Sequence, residues 1–278
     1  MTERWPPMRC AMWVAVLLAL PPIAPGEAGT IAISTDVSAT VTASGLSISL
    51  RITNSGDEAA RSLVPSVTLA GNPPSRVQEA TNLGAGQRLE ARLEVPWAGK
   101  RSGQWPITTV VDYADGNGYP LQAVQVALLT LGAPTPSLIA LVDVDAPPFT
   151  TSGNMKVRLK SLSPAAQRVE LRAVGPRGLE VAGPLPPLAL APWADQESSI
   201  GLTNRGVLPG SRLPVFVVAE YEDQDGHHAS VTHRLIEIRH PTAPVTVVAP
   251  YYAFLAAAAL VAVWFAVYVW RRRGAAKR

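Results

Sequence analysis

The chain has 278 residues, with 24 Lys and Arg, 21 Asp and Glu, and a single cysteine, so it forms no internal disulfide. Seven of the cations lie in the first 28 and last eight residues. Between those ends 17 basic residues face 19 acidic ones, a balance that excludes the basic surface a nucleic-acid partner requires.

Residues 1–28 read as a secretory signal peptide. Arg4 and Arg9 form the basic start, Ala11 to Leu20 the apolar core, and Gly26 and Ala28 the small-residue cleavage site. Cys10 falls inside this segment, so the exported part would carry no cysteine and would depend on its core alone.

Strand patterns follow one another from Thr30 onward. "LSISLRIT" (Leu46 to Thr53) alternates apolar and polar residues, as does "RLEARLEV" (Arg88 to Val95) with Leu89, Ala91, Leu93 and Val95 on one face. "NMKVRLKS" separates Met155, Val157 and Leu159 from Lys156, Arg158 and Lys160. Period-two alternation marks a strand with one buried and one wet face. The predicted strands lie near 30–40, 46–53, 61–69, 88–95, 105–113 and 119–131. A second set lies near 137–144, 154–161, 166–173, 196–203, 213–221 and 227–239. Many short strands between turn signals imply an all-β chain of sandwich or barrel type.

The second set repeats the first. "PITTVVDYADGNGYP" (Pro106 to Pro120) lies over "PVFVVAEYEDQDGHH" (Pro214 to His228) without a gap, matching Tyr113 with Tyr221, Asp115 with Asp223 and Gly118 with Gly226. The expected architecture is two tandem immunoglobulin-like β-sandwiches, residues 29–132 and 137–240, joined by a short Pro-bearing linker at 133–136. A stalk (241–247), one transmembrane α-helix (248–270) and a basic cytoplasmic tail (271–278) follow.

Tyr251 to Trp270 is free of charge for twenty residues. As a helix it would rise about 30 Å, the thickness of a bilayer's hydrocarbon layer. Tyr251, Tyr252, Trp264, Tyr268 and Trp270 supply aromatic anchors, and Arg271, Arg272 and Arg273 open a tail with five cations and no acid. That asymmetry places the tail in the cytoplasm and the bulk of the chain outside it, in a periplasmic or extracellular setting.

Three motifs of the first unit carry a resemblance: the strand and turn "LSISLRITNSGDEAARSL", the turn in "LGAGQRLEARLEV", and the hairpin "ITTVVDYADGNGY". In these the chain resembles the bacterial and archaeal immunoglobulin-like domains of the CARDB, or cell-adhesion-related, type. The second unit departs at "SLSPAAQ" and "LALAPWADQ". The resemblance implies an extracytoplasmic binding or spacer module and brings no catalytic residue with it.

The duplicated acidic hairpin is the best candidate for chemistry. "YADGNG" and "YEDQDG" match half of a calcium loop, but the first ligand position is Tyr in both copies and the twelfth is Val124 or Thr232. The preferred reading is a hairpin turn, with Asp bonding the turn backbone and Gly in the left-handed region. The second copy adds His227 and His228, which with Asp223 and Asp225 make a weak candidate metal site; the blander expectation is histidines on the surface. Trp97, Trp105 and Trp193 are expected to cap the sandwiches rather than stack on sugars. No nucleophile elbow, P-loop or dinucleotide-binding fingerprint occurs. These readings point to a non-enzymatic, membrane-anchored protein without a cofactor or small-molecule ligand, whose partner is a membrane or envelope protein. The alternative is an accessory subunit of a transporter or assembly complex that packs through the small-residue run Leu255 to Ala262.

Overall fold

The computed structural model describes residues 29–43, 45–69, 71–97, 101–183, 185–241 and 249–275. The signal-peptide reading at 1–28, the stalk from 242 and the last three residues of the tail lie outside the described residues. Most of the described chain is β-structure in sandwich-like sheets. Residues 29–131 form β1 (Ile33–Thr42), β2 (Gly45–Asn54), β3 (Ala60–Leu69), β4 (Ser75–Arg76), β5 (Thr81–Leu83), β6 (Arg88–Pro96), β7 (Gly103–Ala114) and β8 (Pro120–Leu131). Residues 139–237 form β9 (Ile139–Asp145), β10 (Ser152–Ser161), β11 (Gln167–Val174), β12 (Leu179–Val181), β13 (Leu188–Leu190), β14 (Asp195–Asn204), β15 (Arg212–Glu222) and β16 (His227–Glu237). The twelve predicted strands are all present. Four short ones, β4, β5, β12 and β13, have no sequence signal because two or three residues are too few to show alternation.

The two halves wind their sheets in the same order. One sheet runs β1-β2-β6 in the first half and β9-β10-β14 in the second, where β12 extends it. The other runs β3-β7-β8 in the first half and β11-β15-β16 in the second. Apart from one link between the halves, all of this pairing is antiparallel.

Each half has its own apolar core. On β2, Leu46, Ile48, Leu50 and Ile52 are fully buried while Arg51 points outward to Glu90 of β6. On β10, Met155, Val157 and Leu159 are fully buried, and Lys156 and Arg158 pair outward with Glu197 and Asp195 of β14. Each such side chain contributes about 2 kcal/mol on leaving water.

Helix α1 (Ala249–Ala275) has 27 residues and no acidic residue in its first turn. Among its side chains, Phe254 to Tyr268 are described without interruption. Among the described residues, no helix is long and apolar enough to cross a membrane. Of the expected anchors, Tyr252, Trp264, Tyr268, Trp270 and Arg271 are exposed, and Trp264 stacks on Tyr268 with ring centroids 5.7 Å apart. The side chains of Tyr251, Arg272 and Arg273 lie outside the described residues.

Candidate functional site: the joint at the second hairpin

Both acidic hairpins form the turn that their sequence predicts. In the first, Asp115 Oδ1 accepts from the backbone N–H groups of Asn117 (2.9 Å) and Tyr119 (2.8 Å), and Gly118 sits at φ +80°. In the second, Asp223 Oδ1 accepts from Asp225 N–H at 2.9 Å, the Asp223 N–H donates to Gly226 O at 3.1 Å, and Gly226 sits at φ +142°. A carboxylate that bonds its own turn and a glycine that tolerates positive φ close both connections.

Their surroundings differ. A Cβ on Gly118 would meet nothing within 4 Å, whereas one on Gly226 would stand 2.4 Å from the carbonyl oxygen of Ser102 in the first half. The second hairpin is docked. His227 N–H donates to Ser102 O at 2.9 Å, and His227 pairs with Gly103 in parallel register, the single ladder link between the halves among the described residues. Gly103 has φ +136°, and a Cβ there would lie 2.0 Å from His227 O, so only glycine permits this approach. Arg101 donates to the carbonyl of Asp223. The linker takes part as well: Thr135 Oγ1 donates to His227 O at 3.2 Å.

The two histidines are buried, at 5% and 3% exposure, which corrects the expectation of surface histidines. The physical reason is the docking of the hairpin, which alternation within one strand cannot reveal. Their rings face opposite ways, as successive strand residues must. His227 lies flat on Trp105 of the first half (centroids 3.5 Å, 9° between planes), with Nδ1 2.7 Å from Gln104 O and Nε2 3.6 Å from Glu220. His228 lies flat on Tyr221 (4.6 Å, 6°), with Nε2 2.8 Å from Asp223 Oδ1 and Nδ1 3.1 Å from Pro136 O. A carbonyl and a carboxylate only accept here, so both nitrogens of His228 stand opposite acceptors. The Tyr221 hydroxyl in turn accepts from Leu138 N–H at 2.8 Å.

Burial works to raise the Asp223 pKa, but hydrogen bonds from His228 and from the backbone at Asp225 and Gly226 hold it below the ordinary carboxylate value. Burial raises the Tyr221 phenol, opposed by the Leu138 N–H. The four candidate metal ligands do not converge. Asp223 meets His228, Asp225 joins only its own turn, and His227 turns to the first half. Among the described residues no group of three or more His, Cys, Asp or Glu is gathered to hold a metal ion.

Sequence reasoning missed the other half of the joint. In the first half, the core takes Trp105, Ile107 and Val111 of β7, and Leu129 and Leu131 of β8. The opposite face carries Thr108, Val124 and Val126, yet these are also buried. In the second half, Val218 and Ala229 lie on the faces of β15 and β16 turned away from the core and are fully covered. β8 touches both β15 and β16. The two halves therefore pack sheet face against sheet face along these strands. At the far edge Arg177 donates to Asp112 at 2.9 Å, and its N–H donates to Gln122 at 2.8 Å. A signal for this was present: "AVQVALL" (Ala123 to Leu129) and "FVVA" (Phe216 to Ala219) are apolar at both parities, the mark of a strand covered on both faces.

Of the tryptophans, Trp105 is buried and Trp97 packs edge-on against it with centroids 5.0 Å apart, as core-capping residues should. Trp193 does not cap a core. It is 63% exposed and sits at φ +60°, an outlier for a bulky residue.

Similarity to known proteins adds little to this geometry. No family model matches the chain, and no curated protein matches it. Solved structures with some likeness include red sea bream transglutaminase (11% identity, 76% of this chain, 31% of that one, TM-score 0.25). A Salmonella alpha-2-macroglobulin reacted with methylamine follows at 9% identity, 74% of this chain, 16% of that one and TM-score 0.30. An exo-chitosanase of Amycolatopsis orientalis gives 14%, 72%, 26% and 0.26. This chain spans less than a third of the length of each. At such scores the likenesses support no statement about fold or function.

Proposed function

We propose that this is a non-enzymatic, single-pass envelope protein whose two immunoglobulin-like domains, of the kind the CARDB resemblance implies, bind or position a protein partner outside the cytoplasm. The observation that supports this best is the joint. A tether needs only a flexible linker, whereas a module that presents loops and strand edges to a partner gains from holding them at fixed spacing. Here the glycine pair, two stacked histidines and the covered faces of β7-β8 and β15-β16 clamp the halves into one body. The acidic and imidazole groups that looked like chemistry are bonded within that clamp. The anchor in this reading rests on the sequence, on the uncharged run Tyr251 to Trp270 and the arginines after it.

A photo-crosslinking amino acid placed in the living cell at Arg92, on the outward face of edge strand β6, and separately at Leu260 in α1 tests the reading. Capture of one defined protein from Arg92 supports it. Capture from Leu260 alone replaces it with an accessory subunit that packs through its helix, and capture from neither position leaves the partner-binding reading without support. Extraction of the chain by alkaline carbonate, which strips peripheral proteins, would refute the anchor.

A further inference from the structure

One edge of the first half carries a charge pattern that is complementary to itself. Strand β6 ends the sheet β1-β2-β6 and, among the described residues, pairs only with β2. The opposite edge strand, β1, is tied to β8 through Thr35, whose N–H and hydroxyl both donate to Gln125 Oε1 at 3.2 and 2.6 Å. Just before β6, Asn54 N–H donates to Gln87 O at 3.1 Å, and the register runs on to Pro96 without a shift. Bonded and unbonded pairs alternate along an antiparallel ladder. The odd-numbered residues of β6 therefore turn their N–H and C=O groups to β2, and Arg88, Glu90, Arg92 and Glu94 turn theirs to the open edge. At the end of the strand Pro96 O accepts from the Asn72 amide at 2.8 Å. The N–H and C=O groups of the four charged residues have no hydrogen-bond partner among the described residues. Their side chains are exposed, while Leu89, Ala91, Leu93 and Val95 face the core. A bare edge of this length is a template for another strand.

The order Arg, Glu, Arg, Glu at 88, 90, 92 and 94 becomes Glu, Arg, Glu, Arg when the strand is reversed. Two copies of β6 that meet antiparallel about a two-fold axis through Ala91 set Arg88 opposite Glu94 and Glu90 opposite Arg92, so every outward pair has opposite charges. The free backbone groups of the two copies also face each other there. A slide of two residues either way sets Arg against Arg and Glu against Glu, and a slide of one turns an apolar face outward. The surroundings agree. Beside the four residues, β2 places Thr53, Arg51, Ser49 and Ser47, of which only Arg51 is charged. Arg51 bonds Glu90 at 3.2 Å and is flanked by Asp36 of β1. The row Asp36, Arg51, Glu90 thus continues into Arg92 of the second copy with alternating sign. Strand β4 of the other sheet, which touches β6, brings Arg76, already paired with Asp112. Strand β14, at the same place in the second half, has no such match. Its outward charges, Asp195 and Glu197, are both acidic and both paired with β10, and β12 covers its end. Charges of one sign would guard an edge against any second copy; the alternation on β6 admits one in a single register.

We infer that two copies of this chain pair edge to edge through β6, antiparallel about Ala91, and join their three-stranded sheets into one continuous sheet. The pairing names the occupant of the β6 edge and depends neither on the anchor nor on a further protein partner. It is tested in the full chain carrying Cys10→Ser. Ala91→Cys sets two thiols across the axis within reach of a disulfide, whereas Ser49→Cys, one strand inward, leaves them at least three strand spacings, about 14 Å, apart. Cells treated with a mild oxidant should give a disulfide-linked dimer from Ala91→Cys in about five-fold or greater yield than from Ser49→Cys. Sedimentation of the purified chain without an added cysteine covers the case in which Ala91→Cys disturbs the strand. Arg88→Glu sets Glu opposite Glu94 at both ends of the pairing and should weaken the dimer about ten-fold, and adding Glu94→Arg should restore it. Arg88 and Glu94 form no ion pair among the described residues of one copy, so these changes leave its fold intact. A monomer at every concentration, a crosslink at 91 no stronger than at 49, or a dimer indifferent to Arg88→Glu overturns the pairing. Capture of a different protein at Arg92 with no dimer also overturns it, and leaves the partner-binding reading standing.

Discussion

The two acidic hairpins have one sequence pattern and one turn, yet among the described residues only the second is bonded to the other half of the chain. Half-buried Asp115 and exposed Gly118 close β7 onto β8. Asp223 and Gly226 close β15 onto β16 and also receive the backbone of the first half. The two copies differ in the residues just after the glycine: Tyr119, half exposed, in one, and two buried histidines in the other. A repeated motif can thus keep its local role in both copies while one copy acquires a second role from the surface that packs on it.

That contrast can be broken most forcefully at Trp105. Trp105→Ala removes a core side chain and the ring on which His227 lies, so thermal or urea unfolding should show a loss of about 4 kcal/mol. The glycines come next. Gly226→Ala combines a strained φ with a backbone clash and should cost about 3 kcal/mol, while Gly118→Ala pays only for the left-handed conformation, about 1 kcal/mol. Equal effects in denaturant titrations of the two variants would erase the distinction between the hairpins.

Acid should weaken the second hairpin in a definite direction. The Asp223 pKa is lowered in the folded state, so its contribution is complete above the ordinary carboxylate value and is lost as pH falls through the lower, folded value. A pH series of unfolding midpoints should therefore show a steeper acid limb in the natural chain than in Asp223→Asn. The smallest effect is expected at Arg177→Ala. This exposed arginine reaches Asp112 at the margin of the joint, so less than about 1 kcal/mol should be lost. Its use is in geometry: a distance between labels on the two halves should stay unchanged in this variant and widen in Gly226→Ala.

The range of each interaction decides how much of this was legible in the sequence. Leu46, Ile48, Leu50 and Ile52, or Met155, Val157 and Leu159, announce their strands because a pleat sorts neighbours onto two faces. The Asp–x–x–Gly turns were legible for the same local reason. The burial of His227 was not, because Trp105, Gln104 and Ser102 are more than 120 residues away in the chain. The exposure of Trp193 was not legible either, since nothing in "LALAPWADQ" tells whether a turn points its ring toward a core or away from it.

The sequence by itself determined the twelve longer strands, the buried faces of their cores, the likeness of the two halves and the two hairpin turns, all consequences of backbone periodicity and turn chemistry acting over a few residues. Only the tertiary structure decided that the halves lie face to face, that Gly103 and Gly226 are points of backbone contact, and that the histidines lock a joint. Those facts arise from the fit of two surfaces, and no short stretch of either half contains both sides of that fit.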